Sequence, residues 1–493
     1  MIEAGSGAHE MRREFAVRVQ PRLELLEQAH REEIHGAGLR LLARTGVVVH
    51  HEQALHLLAE AGCRVDGTCV RIPEHVVERA LATVPRSVRI HDRLGRPAMD
   101  LEDRKTYFGT GSDTPNVIDF ESGQRRPAVL ADVARAARLA DALPHLDFVM
   151  SMGLAGDVPV ERSDRHHFAA MVENSAKPIM FTAWSLEGLR EIYEMAAAVA
   201  GGEERLRDCP FVIHYAMAIA PFVHPRDSLE KVLFCAEKGL PVEYHSVDIG
   251  GSTGPATLAG SFVQGNARML SGLVIHQLKA PGAPLVVDTS VVFLDMATMV
   301  SPYVAPEVTL ASLMNKEMAL YYGVPTFAKA GAGDSKLLDQ QAGVEIGMTM
   351  LSEYLIGNNL VHDLGYLESG MTSSLEGLAI CDEVAGLVKR IGRGVELSPE
   401  QLALEVIEET GPTGNYLVHP HTLRHFREEL WFPKLMDRQN HDRWQQSGGE
   451  SLAERAHRRA ADVLETHEPP PLDPGVLREI GNIAKRGQAA GGR

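Results

Sequence analysis

From Lys105 onward the chain repeats one pattern eight times: a short apolar stretch, a polar or glycine-bearing loop, then a helix-length segment with apolar residues at near-helical spacing. The apolar stretches are 105–109, 148–152, 178–183, 211–217, 242–247, 285–292, 324–329 and 360–366. The helical patterns that follow them are 129–143, 163–176, 186–200, 226–238, 256–278, 306–322, 339–357 and 373–391. Strands alternating with helices at this interval imply parallel βαβ units. An open doubly wound sheet normally has fewer strands and a nucleotide loop early in the chain. Eight units in a row therefore predict an α/β fold of the TIM (β/α)8 barrel type. In such a barrel the loops at the carboxyl ends of the strands build the site.

The fifth unit, PVEYHSVDIGGSTGPATLAGSFVQGNARMLSGLVIHQ, shows the pattern most fully. A strand from Val242 to Val247 runs into a loop carrying Gly250, Gly251 and Gly254, and then into a long helix. Pro255 suits a first helical turn, where its missing N–H costs nothing. Leu258, Phe262, Met269 and Leu273 mark one buried face. Ala259, Gly260, Gly265, Ala267 and Gly272 permit close packing against another layer. The segments GGSTG (Gly251, Ser252, Thr253) and GAGDS (Gly331, Gly333, Asp334) have the composition of anion cradles at helix N-termini. Simple turn geometry accounts for either equally well.

The flanks divide the 493 residues into a flexible arm over 1–20, an α+β lead-in module over 21–104, the barrel over 105–394, a helical extension over 395–487 and a disordered tail over 488–493. A net charge of −17 argues against a general nucleic-acid surface, which needs clustered Lys and Arg. Five cysteines without CxxC spacing point to reduced thiols. The polar start has no apolar signal region, and no run reaches the length of a membrane span. The expectation is a cytoplasmic protein with neither a nucleic-acid nor a membrane partner; a homo-oligomer is compatible with this reading.

Polar residues at strand ends are the candidates for chemistry: Thr110, Asp113, Thr182, Trp184, His214, Tyr215, Glu243, His245, Asp248, Asp334, Lys336, Tyr366 and Glu368. Strand side chains alternate between the barrel interior and the helix layer, so about half of them face the mouth. The 22 histidines raise the question of a metal. His51 and His56 lack the HExxH order, His166 and His167 diverge on a helix, and His419, His421 and His425 fall outside the barrel. His214 and His245 come from adjacent strands but have no evident third ligand, so no metal site is expected. There is no GxSxG motif of a serine hydrolase. Cys235 and Cys381 lie within helical patterns, where a buried thiol is inert.

Several runs together carry a resemblance: YFGTGSDTPNVIDFESGQRRPAVLADVARAARLAD, GGSTGPATLAGSFVQGNARMLSG, KAPGAPLVVDTS, GAGDSKLLDQQAGVE, NNLVHDLGYLESGMTSSLE, GPTGNYLVHPHTLRHFREELWFPKL and ERAHRRAADVLETHEPPPLD. In this order they resemble the trimethylamine methyltransferase family of corrinoid-dependent enzymes, whose fold is a TIM barrel. The trimethylamine-specific members carry pyrrolysine in the mouth. The Gly331–Asp334 loop contains none, so the chain resembles the non-pyrrolysine branch, for which quaternary amines such as glycine betaine are the implied substrates. A departure falls at Arg268, where many relatives have an acidic residue.

The resemblance implies methyl transfer from the amine to Co(I) of cobalamin on a separate, cognate corrinoid protein, with no cofactor held tightly by this chain. Aromatic faces and carboxylates suit a cation that cannot donate a hydrogen bond. The aromatic candidates are Trp184, Tyr215, Tyr244, Phe293, Phe327 and Tyr366; the acidic ones are Asp113, Asp248, Asp334 and Glu368. Asp334, His245 and Glu368 are the expected catalytic residues, and the GGSTG backbone or His245 is expected to hold a betaine carboxylate. For Asp334 the plain alternative is an N-cap on the helix that follows. Two rival functions stand beside this one: a metal-dependent barrel hydrolase or lyase, and a non-catalytic betaine-binding barrel.

Overall fold

The computed structural model describes residues 18–486; the predicted tail and nearly all of the predicted arm lie outside them. The repeated strand stretches close into a ring. Its members are β1 (Tyr107–Phe108), β2 (148–149), β3 (Ile179–Phe181), β4 (Val212–Met217), β5 (Val242–His245), β6 (Leu285–Val287), β7 (Phe327–Lys329) and β8 (Leu360–His362). Each neighbouring pair is parallel. Gly109 bridges Phe148, Val149 bridges Ile179, and Val287 bridges Thr326. Ile179 pairs with Val212, His214 with Val242, Val242 with Leu285, and Phe327 with Leu360. The last pair, Leu360 with Tyr107, closes the barrel. With every strand parallel, all the loops that follow them emerge at one end.

The helices are α1 (Leu130–Ala142), α2 (Ser163–Asn174), α3 (Leu186–Ala200), α4 (Arg226–Lys238), α5 (Leu258–Lys279), α6 (Pro306–Tyr322), α7 (Gln340–Ile356) and α8 (Leu375–Gly392). Local chemistry sets their ends. Ser185, Asp339 and Ser374 cap the N-termini of α3, α7 and α8 by accepting backbone N–H bonds. Gly201, Gly239, Gly323 and Gly357 stop α3, α4, α6 and α7 in the left-handed conformation. The start of α5 differs from expectation: Pro255 lies in the connecting loop, not in the first turn. The chain after β5 continues as a second extended segment, Val247–Gly250, paired in parallel with Ser290–Phe293. The reversal at the end of that segment uses the residues that a shorter strand would have left to the helix.

The lead-in segment is not wholly separate from the barrel. Its last part, Val88–His91 paired antiparallel with Pro97–Leu101, plugs the amino-terminal end. Val88, Ile90, Met99 and Leu101 pack there against Phe148, Met150, Met180, Ile213, Val286, Phe327 and Leu360 from inside the strands. The earlier helices Gln28–Arg44, Glu52–Glu60 and Glu74–Leu81 lie against α5. That explains the small residues of α5, which is covered on nearly every side; a side chain at Gly272 would run into the Tyr244 ring. In the extension, Leu452–Thr466 packs on α8 and Pro474–Ala484 on α2 and α3. Among the described residues, no helix is long and apolar enough to cross a membrane.

Candidate active site

The inward side chains of the barrel change character along its axis. Next to the hairpin plug they are apolar: Met180, Ile213, Val286, Phe327 and Leu360. Two residues further along each strand they become Thr182, Tyr215, Asp288, Lys329 and His362, while β5 supplies Glu243 and then His245. A polar cluster therefore sits on a closed apolar floor at the carboxyl end.

The centre of this cluster is an ion pair. His245 Nδ1 lies 2.9 Å from Asp288 Oδ2 and 3.6 Å from Glu243 Oε1. Burial opposes charge on His245, but the facing Asp288 and Glu243 outweigh it and push its pKa up to about 10. Asp288 is fixed from behind by Asn315 Nδ2 at 2.9 Å and by the Ser290 hydroxyl. Glu243 is fully buried, and neither of its oxygens has a hydrogen-bond partner among the described residues. Desolvation raises its pKa to about 8, so it is protonated near neutrality.

Aromatic rings surround this pair. Tyr215 lies 5.5 Å from the His245 ring and 5.7 Å from Phe327, centroid to centroid. Phe327 stacks on His362 at 4.1 Å, and His362 Nδ1 approaches Asp363 Oδ1 at 2.7 Å. Tyr366 is buried, with a hydroxyl lacking a hydrogen-bond partner among the described residues. Gly111 makes room for this corner, since a Cβ there would overlap the Asp363 carboxylate and the Tyr366 ring. Asp113 lies beside it, accepting from Ser151 and Thr182 hydroxyls at 2.7 Å each, with His167 at 3.5 Å. Burial opposes its charge, but these partners hold its pKa below the usual carboxylate range.

Other candidates occupy different places. Asp334 accepts hydrogen bonds from Tyr303 N at 2.8 Å, Val304 N at 3.2 Å and Ser369 Oγ at 2.7 Å. It ties the loop after β6 to the loop after β8, and the cap of α7 is Asp339 instead. Tyr244 and Asp248 point into the helix layer, because they alternate with Glu243 and His245. The Tyr244 hydroxyl meets His224 Nδ1 at 2.8 Å; Asp248 pairs with Arg268 at 2.8 Å, both side chains fully buried. His214 also faces outward, beside Phe181 and Lys231, so it is not presented on the same side of the wall as His245.

Trp184 is 57% exposed on the rim. Glu368 is on the rim as well, bound to Arg125 at 2.8 Å and to the Thr372 hydroxyl at 2.6 Å. Phe293 packs over Gly250. The Gly251–Thr253 turn is closed on itself: the N–H groups of Ser252, Thr253 and Gly254 donate to Ile249 O, and that of Gly251 to Gly254 O. Its backbone donors are thus already used. Gly331 and Gly333 allow close approach by Leu364 and Glu345, not by open space.

Sequence reasoning passed over Asp288, Lys329, His362, Asp363 and Tyr303. For Asp288, Lys329 and His362 a signal existed, since each lies two residues beyond an apolar inward residue on its strand. Tyr303 had none, because it arrives from a long loop. A broad cleft of about 1020 Å³ also exists, lined by Arg89, Glu203, Arg207 and Lys238 among others. It opens at the plugged, amino-terminal end and touches none of the polar cluster.

Comparison with known proteins agrees with this architecture. The family model for trimethylamine methyltransferase matches residues 3–492. A trimethylamine methyltransferase from Desulfitobacterium hafniense (strain DSM 10664 / DCB-2) is 29% identical, over 92% of this chain and 91% of that protein. A glycine betaine methyltransferase from Desulfitobacterium hafniense (strain Y51) is also 29% identical, over 96% and 98%. The trimethylamine methyltransferase of Methanosarcina thermophila is 30% identical, over 93% and 96%. In fold, the crystal structure of the Methanosarcina barkeri monomethylamine methyltransferase superposes with a TM-score of 0.53 at 11% identity, covering 90% of this chain and 88% of that one. The chain belongs to the trimethylamine methyltransferase family.

Proposed function

We propose that this amine methyltransferase takes a methyl group from a quaternary or tertiary N-methyl amine, of the glycine betaine class, and passes it to Co(I) of a corrinoid held by a separate protein. The observation that carries this reading is the polar cluster itself: Tyr215, Phe327 and Tyr366 beside Glu243, Asp288 and Asp363, above an apolar floor. Aromatic faces attract a cation by about 2 kcal/mol once water is displaced, and a quaternary ammonium cannot use the hydrogen-bond acceptors that a protonated primary amine would need.

The chemistry asks little acid–base work of the chain. From a quaternary ammonium the C–N bond pair leaves with nitrogen as a neutral tertiary amine, and a tertiary amine bound as its ammonium leaves as a neutral secondary amine. In either case no further proton has to reach the leaving group. The corrinoid supplies the electron pair for the new bond to the methyl carbon. What remains for the protein is to orient the amine with one methyl toward the mouth and to keep water out, a positioning task that is worth several orders of magnitude in rate. The His245–Asp288 pair and the neutral Glu243 carboxyl line the site without offering a free nucleophile that would compete for the methyl.

The acceptor must come from outside, and the rim suits such a visitor. Trp184, Met217, Ile219, Met296, Met299 and Met371 are large apolar residues exposed at this end of the barrel, on the end of β4 and on the loops. The test is to incubate the purified chain with glycine betaine and either free Co(I) cobalamin or a Co(I) corrinoid protein, and to follow the amine by mass spectrometry. Loss of one methyl, giving dimethylglycine, is the expected result. No demethylation of any quaternary or tertiary N-methyl amine with either acceptor would reject the proposal.

A further inference from the structure

Relatives of near-equal identity carry the names trimethylamine methyltransferase and glycine betaine methyltransferase, so overall likeness does not choose between a simple amine and a zwitterion. The two differ by one carboxylate. The question is whether the mouth contains a cation with nothing to hold.

Lys329 is such a cation. It ends β7, two residues beyond Phe327, and is half-buried among the cluster. Its Nζ lies 3.8 Å from the centroid of the Tyr303 ring. Among the described residues it makes no hydrogen bond, and no carboxylate comes within 4.0 Å of it. Burial lowers the pKa of this ammonium, and four carboxylates in its field favour its charge, those of Asp363, Asp288, Asp334 and Glu353, yet each is engaged elsewhere. Asp334 takes two backbone N–H groups and Ser369. Asp288 faces His245 and Asn315, Asp363 faces His362, and Glu353 accepts from Asn358 at 2.7 Å.

The partner ring is held as firmly as those acids. Tyr303 is anchored through its N–H by Asp334 and packs against the backbone of Gly370. The loops after β6, β7 and β8 thus cooperate to keep one aromatic face under one ammonium. A lysine with a structural role at this depth normally finds carbonyls or a carboxylate, as Lys177 does with Ala140 O and Leu143 O, and Lys231 with Ala183 O. Lys329 keeps its three donors.

We infer that Lys329 is the specificity residue that binds the carboxylate of a zwitterionic N-methyl substrate, so that the site selects betaines over simple amines. The inference rests on the amine-methyltransferase reading of the same mouth. The zwitterion satisfies both halves of the cluster: its carboxylate takes the Lys329 donors, and its N-methyl head takes the rings and the acidic side. A simple amine supplies only the head and must share the site with the Lys329 charge.

The test compares glycine betaine with tetramethylammonium, which has the cationic head and no carboxylate, by calorimetric titration of the full chain. Wild type should bind glycine betaine at least tenfold more tightly. Lys329→Met should cut glycine betaine affinity by tenfold or more and leave tetramethylammonium unchanged or tighter, since a competing cation is gone. Lys329→Arg should keep most of the preference. Unchanged selectivity in Lys329→Met, whether both affinities are kept or fall equally, overturns the assignment alone, as does a Lys329→Arg variant that loses the preference as fully as Lys329→Met. A wild-type chain that binds neither ligand overturns the amine reading and this inference together.

Discussion

Glu243 and His245 show how burial and pairing set protonation inside the mouth. Both are held above their ordinary values of 4.5 and 6.5, to about 8 and about 10. A group whose pKa is raised by folding contributes stability below its unfolded pKa and loses it as pH rises through the folded one. The Glu243 contribution is therefore complete below pH 4.5 and drains toward about 8, and that of His245 is complete below 6.5 and drains toward about 10. Gln mimics the neutral carboxyl. Glu243→Gln should match wild type in thermal stability at about pH 5 and fall more gently than wild type between about pH 5 and 8. Parallel profiles for the two proteins would mean that Glu243 is ionised in the fold. The sequence could place Glu243 and His245 on one strand but not their pairing. Asp288, which decides the charge of His245, comes from a neighbouring strand whose register is set only when the barrel closes.

At the scale of an element, β5 and its extension separate two functions by alternation alone. Glu243 and His245 face the mouth; Tyr244, Ser246 and Asp248 face α5. The periodicities behind this were legible: the helical repeats predicted α3, α4 and α6 to the residue and the others to within a few residues, because caps and glycine stops are local chemistry. The direction of each strand side chain was not legible, since a shift of one residue exchanges the two faces. Nor was the closure of the Gly251–Thr253 turn on Ile249 O, which depends on how far the strand runs before reversing.

The outward half of β5 has its own energetic consequence. Arg268 donates to Asp248 at 2.8 Å, to Val247 O at 2.9 Å and to Pro221 O at 2.6 Å, with no solvent exposure. Removing one member of a buried pair strands the other, at a cost of about 3–5 kcal/mol. Arg268→Met should lose that much in urea unfolding, and adding Asp248→Asn should recover part of it. A loss below about 1 kcal/mol would show that the Asp248 carboxyl is neutral in the fold and needs no partner.

Across the whole molecule, the hairpin Val88–Leu101 closes one end of the barrel with the same apolar layer that supports the site. Among the described residues the cluster is then open only toward the loop end, and under the proposed function a corrinoid protein docks on the rim. Exposed apolar residues there, with Trp184 at 57% and Met296 at 66%, are costly to leave in water unless a partner covers them. Aromatic anchors of this kind each contribute about 1–2 kcal/mol to protein–protein affinity, or about five- to thirtyfold. Trp184→Ala combined with Met296→Ser should therefore raise KM for the corrinoid protein by at least about tenfold. Neither side chain lies among the buried groups of the cluster, so calorimetric binding of glycine betaine and turnover with free Co(I) cobalamin should stay at wild-type levels. Equal losses with free and protein-bound acceptor would mean that the rim shapes the substrate site itself, and the docking surface would then have to lie elsewhere on the loop end.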